Sequence, residues 1–167
     1  MTNKPEKTNA MRFLEAQGIR YIAHYYSPEI HSAEGVAKAV GLPASQVFKT
    51  LVVMSEKGRP LLAIVPGDRE LDLKKLAQAA QEKKLRMATQ REAESLTGLL
   101  VGGISALALL HKGFPVYLDA HATEYAQILV SAGQRGINLQ LAVDDLRKIT
   151  RARIADISRP PSTPEIG

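Results

Sequence analysis

The run Val47-Phe48-Lys49-Thr50-Leu51-Val52-Val53-Met54 is followed, across the charged turn Ser55-Glu56-Lys57-Gly58-Arg59, by Leu61-Leu62-Ala63-Ile64-Val65. Two apolar stretches of strand length joined by a short Gly-containing loop read as an antiparallel hairpin. Their nearly unbroken hydrophobicity puts the pair at the centre of a sheet. Lys49 is the exception in the run. Alternation sets Phe48, Thr50 and Val52 on one face and Lys49, Leu51 and Val53 on the other, so the ammonium either snorkels to an edge or lines a pocket. In a pocket, its three donors and point charge suit a phosphate or a carboxylate.

Upstream of the hairpin, Thr8 to Gln17 reads as a helix with Met11, Phe13 and Leu14 on one side and Gly18 as its stop. Ile19 to Tyr26 reads as a strand broken by Ser27-Pro28, and Ser32 caps a helix from Ala33 to Val40 that closes at Gly41. Downstream, Asp72 and the spacing of Leu73, Leu76, Ala77 and Ala80 indicate a helix. Thr89 with Glu92 is a capping-box pair for another that ends at Gly98. Pro115 to Leu118, Gln127 to Val130 and Ile137 to Leu141 read as strands, and Asp144 to Ile149 as a short helix.

Hairpin links stand beside longer crossovers without strict βαβ alternation. The expected class is therefore α/β of a mixed, α+β-like kind, with one mostly antiparallel sheet surrounded by helices. With 167 residues, of which 45% are hydrophobic and 23% charged, the chain fits one domain. A domain of this size buries about two-thirds of its unfolded surface and needs no covalent staples. The domain is expected over residues 1–158, and the Pro-rich residues 159–167 are expected to form a flexible tail.

The chain has no cysteine, which excludes a disulfide framework, thiolate metal sites and an enzyme-borne thiol nucleophile. The four histidines never fall at HxxxH or HxH spacing, so no metal site is expected. Walker, GxGxxG and GxSxG motifs are missing too, and no cofactor is implied. MTNKPEKTNAMRF has no uninterrupted apolar stretch and no later run nears the roughly 20 residues of a membrane helix, so a cytoplasmic protein without a membrane partner is expected. A net charge of +5 suits an anionic partner such as RNA.

Three further places are candidates for chemistry. His31 lies in the loop between the Tyr25-Tyr26 strand end and the Ser32 cap. Gly102 and Gly103, between apolar residues and next to Ser105, form either a strand bulge or a nest of backbone N–H groups for a developing oxyanion. Ser131 to Gly136 is a second small-residue loop, to which Arg135 adds a fixed charge.

Phe48-Lys49-Thr50-Leu51-Val52-Val53, Val101-Gly102-Gly103-Ile104-Ser105 and Val130-Ser131-Ala132-Gly133-Gln134-Arg135-Gly136 occur in this order after the HSAEGVAKAVGL helix. The combination resembles the YbaK/EbsC family of free-standing aminoacyl-tRNA deacylases, related to the editing insertion of prolyl-tRNA synthetase, from about Lys7 to Ser158. The resemblance implies the family's mixed fold and hydrolysis of mischarged Cys-tRNA(Pro), in which the substrate's own thiol attacks its ester and cyclises. It implies as partners a tRNA(Pro) acceptor end carrying cysteine and prolyl-tRNA synthetase, and not DNA. The family's pocket tyrosine falls on Tyr26, its lysine on Lys49, its glycine loop on Gly102 and its later serine on Ser131. Ser32 stands where the family has an aromatic residue, and Ala106 and Ala108 replace its usual proline and glycine.

Lys49 and Gly102 are thus the expected catalytic residues. Tyr26, His31, Ser32, Thr50, Gly103, Ser105, Ser131 and Arg135 are expected to bind substrate. A deacylase for Ala-tRNA or another small aminoacyl ester, and a non-catalytic tRNA- or synthetase-binding module, stay open at this level.

Overall fold

The computed structural model describes residues 6–162. The hairpin is formed by β2 (Phe48–Ser55) and β3 (Pro60–Pro66), with register running from Phe48↔Pro66 to Met54↔Pro60. At its turn the Ser55 N–H donates to the Arg59 carbonyl (3.0 Å), and the Ser55 hydroxyl accepts from the Arg59 N–H (3.1 Å). These strands hold the second and third places of a five-stranded sheet. β5 (Leu85–Met87) pairs antiparallel outside β2, while β6 (Val116–Asp119) and β9 (Arg153–Ala155) continue the sheet in parallel beyond β3.

The remaining strands form two further sheets. β1 (Ile22–Tyr25), β8 (Ile137–Ala142) and β7 (Gln127–Ser131) make an antiparallel sheet in that order. β4 (Glu70–Leu71) and β10 (Ser158–Arg159) make a two-stranded ribbon. The mixed, mostly antiparallel class is therefore observed, with the strands divided among three sheets instead of one. A single parallel bridge, Val47↔Leu129, joins the two larger sheets.

Both faces of the hairpin are covered, which accounts for its continuous hydrophobicity. Phe48, Val52, Leu62 and Ile64 face the larger core together with α1 (Asn9–Ala16), α4 (Gln90–Thr97), α5 (Val143–Thr150) and the inner residues of β7 and β8. Val53, Leu61, Ala63 and Val65 face the opposite way, onto Leu76 and Ala77 of α3 (Leu73–Ala80). α2 (Ala33–Val40) packs Val36 and Ala37 against Val47 and Leu129, at the junction of the two sheets.

The sequence-predicted caps are present. Thr89 and Glu92 complete a capping box at α4, and the Asp72 carboxylate accepts from the N–H groups of Lys74 and Lys75. Two expectations change. Phe13 is 36% exposed while Met11 and Leu14 are buried, because residues two apart on a helix point in nearly opposite directions. The expected tail beginning at residue 159 starts too early. Arg159 pairs with Glu70 in the β4–β10 ribbon, and the Ser162 N–H and hydroxyl donate to the Glu70 carboxylate. Residues 163–167 of that tail lie outside the described residues. The short strands β4, β5, β9 and β10 carry no legible alternation, since two or three residues with a charged one among them do not establish a period.

Ile64 is fully buried at the middle of β3. We expect Ile64→Ala to lower stability by about 2 to 5 kcal/mol in urea unfolding, the range for an aliphatic core truncation whose cavity cannot collapse.

Candidate functional site

β2 uses its two edges differently. One edge is paired with β3 along its whole length. The other takes two partners in succession: Leu129 of β7 beside Val47, and β5 from Val53 to Ser55. Between them, Lys49 to Val52 have no strand neighbour on that side among the described residues. Ala88 N–H donates to the Val52 carbonyl at 3.0 Å, which identifies this as the edge served by Val52. Backbone groups alternate along a strand, so Thr50 also turns its N–H and C=O to the open edge. The gap is a cleft of about 460 Å³.

Lys49, Thr50, Leu51 and Val52 form the cleft's floor, which draws on both faces of β2 because the cleft runs along the strand's edge. Burial pushes the Lys49 ammonium below the ordinary lysine range, against the opposing pull of the Glu34, Glu70 and Asp68 carboxylates. No acidic group forms an ion pair with it among the described residues. The start of α2 supplies Ser32 and Glu34 as one wall. The Ser32 hydroxyl is occupied as a cap, accepting from the Gly35 N–H at 3.0 Å. His31 lines the cleft beside it, and its Nε2–H donates to the Pro28 carbonyl at 3.0 Å. A carbonyl can only accept, so neutral His31 carries its hydrogen on Nε2 and keeps the Nδ1 lone pair free.

The loop following α4 lines the cleft next to His31. It is a turn, not a strand bulge: the Gly103 N–H donates to the Leu100 carbonyl (2.8 Å), and Gly102 has φ of +93°. A Cβ on Gly102 would lie 3.1 Å from the Cβ of His31, so both the backbone angle and the close approach demand glycine. Gly102 lines the cleft together with Lys49.

Four expected substrate contacts have other positions. Gly103 is buried against the second loop, where a Cβ would meet the Arg135 nitrogen at 2.9 Å. Arg135 Nε–H donates to the Val101 carbonyl at 2.8 Å, so Gly103 and Arg135 brace the two loops together instead of lining the cleft. Ser105 is fully buried beneath them, its hydroxyl accepting from the Ala108 N–H at 3.3 Å. Tyr26 also stands behind the lining. Its hydroxyl accepts from Asn138 Nδ2 at 2.7 Å, and burial raises its pKa.

Asn138 is the residue that sequence reading passed over. It sits opposite Ser131 on β8, it is 5% exposed, and it lines the cleft together with Ser131. In sequence it is one polar residue within an alternating strand, with nothing to show that its neighbour β7 ends beside an open edge. Asn138 Oδ1 and Thr50 Oγ1 are buried without a hydrogen-bond partner among the described residues. Both atoms have hydrogen-bonding capacity to spare.

A cleft formed from a strand edge, a lysine and a glycine turn is found here on a mixed fold, and comparison with known proteins defines its class. Residues 27–149 match the model of the aminoacyl-tRNA editing domain. EbsC of Enterococcus faecalis, named as a candidate Cys-tRNA(Pro)/Cys-tRNA(Cys) deacylase, is 41% identical over 92% of this chain and 94% of its own length. A proline–tRNA ligase of Sulfurihydrogenibium is 33% identical over 68% of this chain, which spans only 20% of that ligase. A crystal structure described as a candidate trans-editing enzyme for prolyl-tRNA synthetase superposes with a TM-score of 0.74, at 29% identity, over 90% of this chain and 96% of the other. The chain belongs to the YbaK/EbsC family of aminoacyl-tRNA editing deacylases. Among the described residues no helix is long and apolar enough to cross a membrane.

Two outcomes follow from this geometry. Gly102→Val should destabilise the loop by about 1 to 3 kcal/mol through its positive φ, read as a fall in unfolding free energy. Lys49→Met should raise the melting temperature, because it removes a charge that burial disfavours. The pH dependence has a definite sign. Unfolded Lys49 keeps its proton up to its ordinary value near 10.5, while folded Lys49 loses it earlier. Stability from this group therefore rises with pH between the two values. Lys49→Met should lack that rise in denaturation measured across alkaline pH.

Proposed function

We propose that this chain hydrolyses Cys-tRNA(Pro) and that the substrate's thiol is the nucleophile. The observation that carries the reading is a cleft in which Lys49 and Gly102 face a common space while the chain has no cysteine of its own. Ser131 lines the cleft too, but its hydroxyl accepts from the Gly133 N–H at 3.2 Å and no histidine is hydrogen-bonded to it among the described residues. The hydrogen bond of His31 runs to Pro28 and not to Ser131 or Thr50, so neither hydroxyl is paired with a base as an enzyme-borne nucleophile needs to be.

In the proposed step the cysteine sulfur bonds to the ester carbonyl carbon and the bond from that carbon to the ribose oxygen breaks. The thiol's proton ends on the departing ribose oxygen, giving free tRNA and a four-membered thiolactone that water then opens to cysteine. Lys49 holds a phosphate of the terminal nucleotide and favours the thiolate. The Gly102 N–H faces the carbonyl oxygen as negative charge develops there. Thr50, Ser131 and Asn138 position the aminoacyl group, and Tyr26 fixes the Asn138 amide. Gly103, Ser105 and Arg135 act by holding the loop in place. The reaction suits an error that size alone cannot exclude, because cysteine and proline differ little in volume and a small difference discriminates only modestly. Prolyl-tRNA synthetase is the proposed source of the substrate and a proposed docking partner, in the cytoplasm.

Deacylation of tRNA(Pro) charged with cysteine, serine, alanine or proline tests the reading. Cys-tRNA(Pro) should be cleaved far faster than Ser-tRNA(Pro), since a hydroxyl keeps the shape but ionises poorly, and Ala-tRNA(Pro) should be slower still. Lys49→Ala should reduce the cysteine rate by about 10- to 100-fold, the value of one charge-assisted contact, with the fold retained. Equal rates on all esters, or an aminoacyl adduct trapped on the protein, would overturn the thiol mechanism. Tight binding of every charged tRNA with no cleavage would make the protein a binding module instead.

A further inference from the structure

Apart from His31, Lys49 and Glu34 are the only ionisable side chains lining the cleft among the described residues. They carry opposite charges, and neither forms an ion pair with the other or with any third group there. Glu34 nevertheless contributes the largest attraction that Lys49 feels. A cleft holding two opposite, separated and unpaired charges complements a dipolar ligand. Its cationic end belongs beside Glu34 and its anionic end beside Lys49. An aminoacyl ester of a nucleotide has this form: an α-ammonium next to the ester carbonyl, with the nucleotide phosphate beyond the ribose.

Glu34 is an exposed residue at the cleft, on a backbone whose position is fixed. It lies in the first turn of α2, whose start is fixed by the Ser32 cap and whose next turn is anchored by Val36 and Ala37 in the junction between the sheets. We propose that Glu34 receives the α-ammonium group of the aminoacyl ester, so that the cleft accepts esters of free amino acids and rejects those whose amine is acylated. The proposal rests on the deacylase reading. Its consequence is a filter: N-blocked esters, peptidyl and formyl esters included, lose the cation that Glu34 binds and bring a neutral amide against a carboxylate. A first-turn carboxylate also favours the helix dipole, but that contribution is the same for every ligand.

The test uses 3′-deoxy-3′-(L-alanylamino)adenosine 5′-phosphate, whose amide link resists hydrolysis, and its N-acetyl derivative. Binding of both to the whole protein is measured by titration calorimetry. The wild type should bind the free-amine form about five- to tenfold more tightly, the size expected of an ion pair open to solvent on one side. Glu34→Gln should abolish that preference while shifting the melting temperature little, and Glu34→Asp should restore part of it. In steady-state deacylation, Glu34→Gln should raise KM for Cys-tRNA(Pro) and leave N-acetyl-Cys-tRNA(Pro) unaffected. No preference in the wild type, or an undiminished preference in Glu34→Gln, overturns the Glu34 assignment even if deacylation is intact. A Glu34-dependent preference without any deacylation overturns the deacylase reading alone, and failure of both analogues to bind together with no deacylation overturns both.

Discussion

The site depends on the divergence of two strands. β2 and β7 touch in parallel register at Val47 and Leu129 and then separate, while β5 closes onto β2 only from Val53. A strand edge left open within a protein is a liability, because its N–H and C=O groups seek partners. Here the open stretch runs from Lys49 to Leu51 and lies at the bottom of a cleft. There it offers the Thr50 backbone to a ligand instead of to another chain. The third cluster of buried residues, centred on Val47 and Leu129, pins the vertex of this wedge and sets α2 beside it.

The groups around the wedge are unusual for the interior of a fold. Lys49 keeps a charge that burial disfavours, Gly102 holds a positive φ in a tight approach to His31, and Asn138 and Thr50 each bury an unpaired oxygen. The support comes from beside the cleft: the Arg135 to Val101 hydrogen bond, the buried Gly103 and Ser105, and the Tyr26 hydroxyl under Asn138. A rigid frame of this kind fixes polar groups in place, which is the condition for electrostatic preorganisation.

The family assignment and the cleft inform each other. Matches to both a free-standing protein and a segment covering a fifth of a proline–tRNA ligase show that this fold occurs alone and within a synthetase. A separate editing module must recognise its substrate through the few groups that every acceptor end presents. The ester, the ribose, the phosphate and the amine are such groups, and the lining of the cleft offers opposite charges, a glycine turn and two unsatisfied oxygens.

Much of the architecture was legible in the chain because it is local. The hairpin showed in two apolar runs around a Gly-containing turn. The helices showed in Thr8, Ser32, Asp72 and Thr89, whose side chains cap the backbone within three residues of themselves. Lys49 and Gly102 stood out for the same reason: a charge in an apolar strand and a glycine pair between apolar residues are anomalies visible in a short window. Tertiary structure alone decided which of the candidates share a space. Ser105, Gly103, Tyr26 and Arg135 looked as suitable for binding as Ser131 or Thr50, yet packing placed the first four behind the wall and the last two in it. Asn138 and Glu34 had no local signal at all. Their roles arise from contacts between β8, α2 and β2, which lie tens of residues apart and meet only because the sheets join at one bridge. Hydrogen bonds to near neighbours can be read from spacing, but the line along which two sheets part is set by the packing of the whole core.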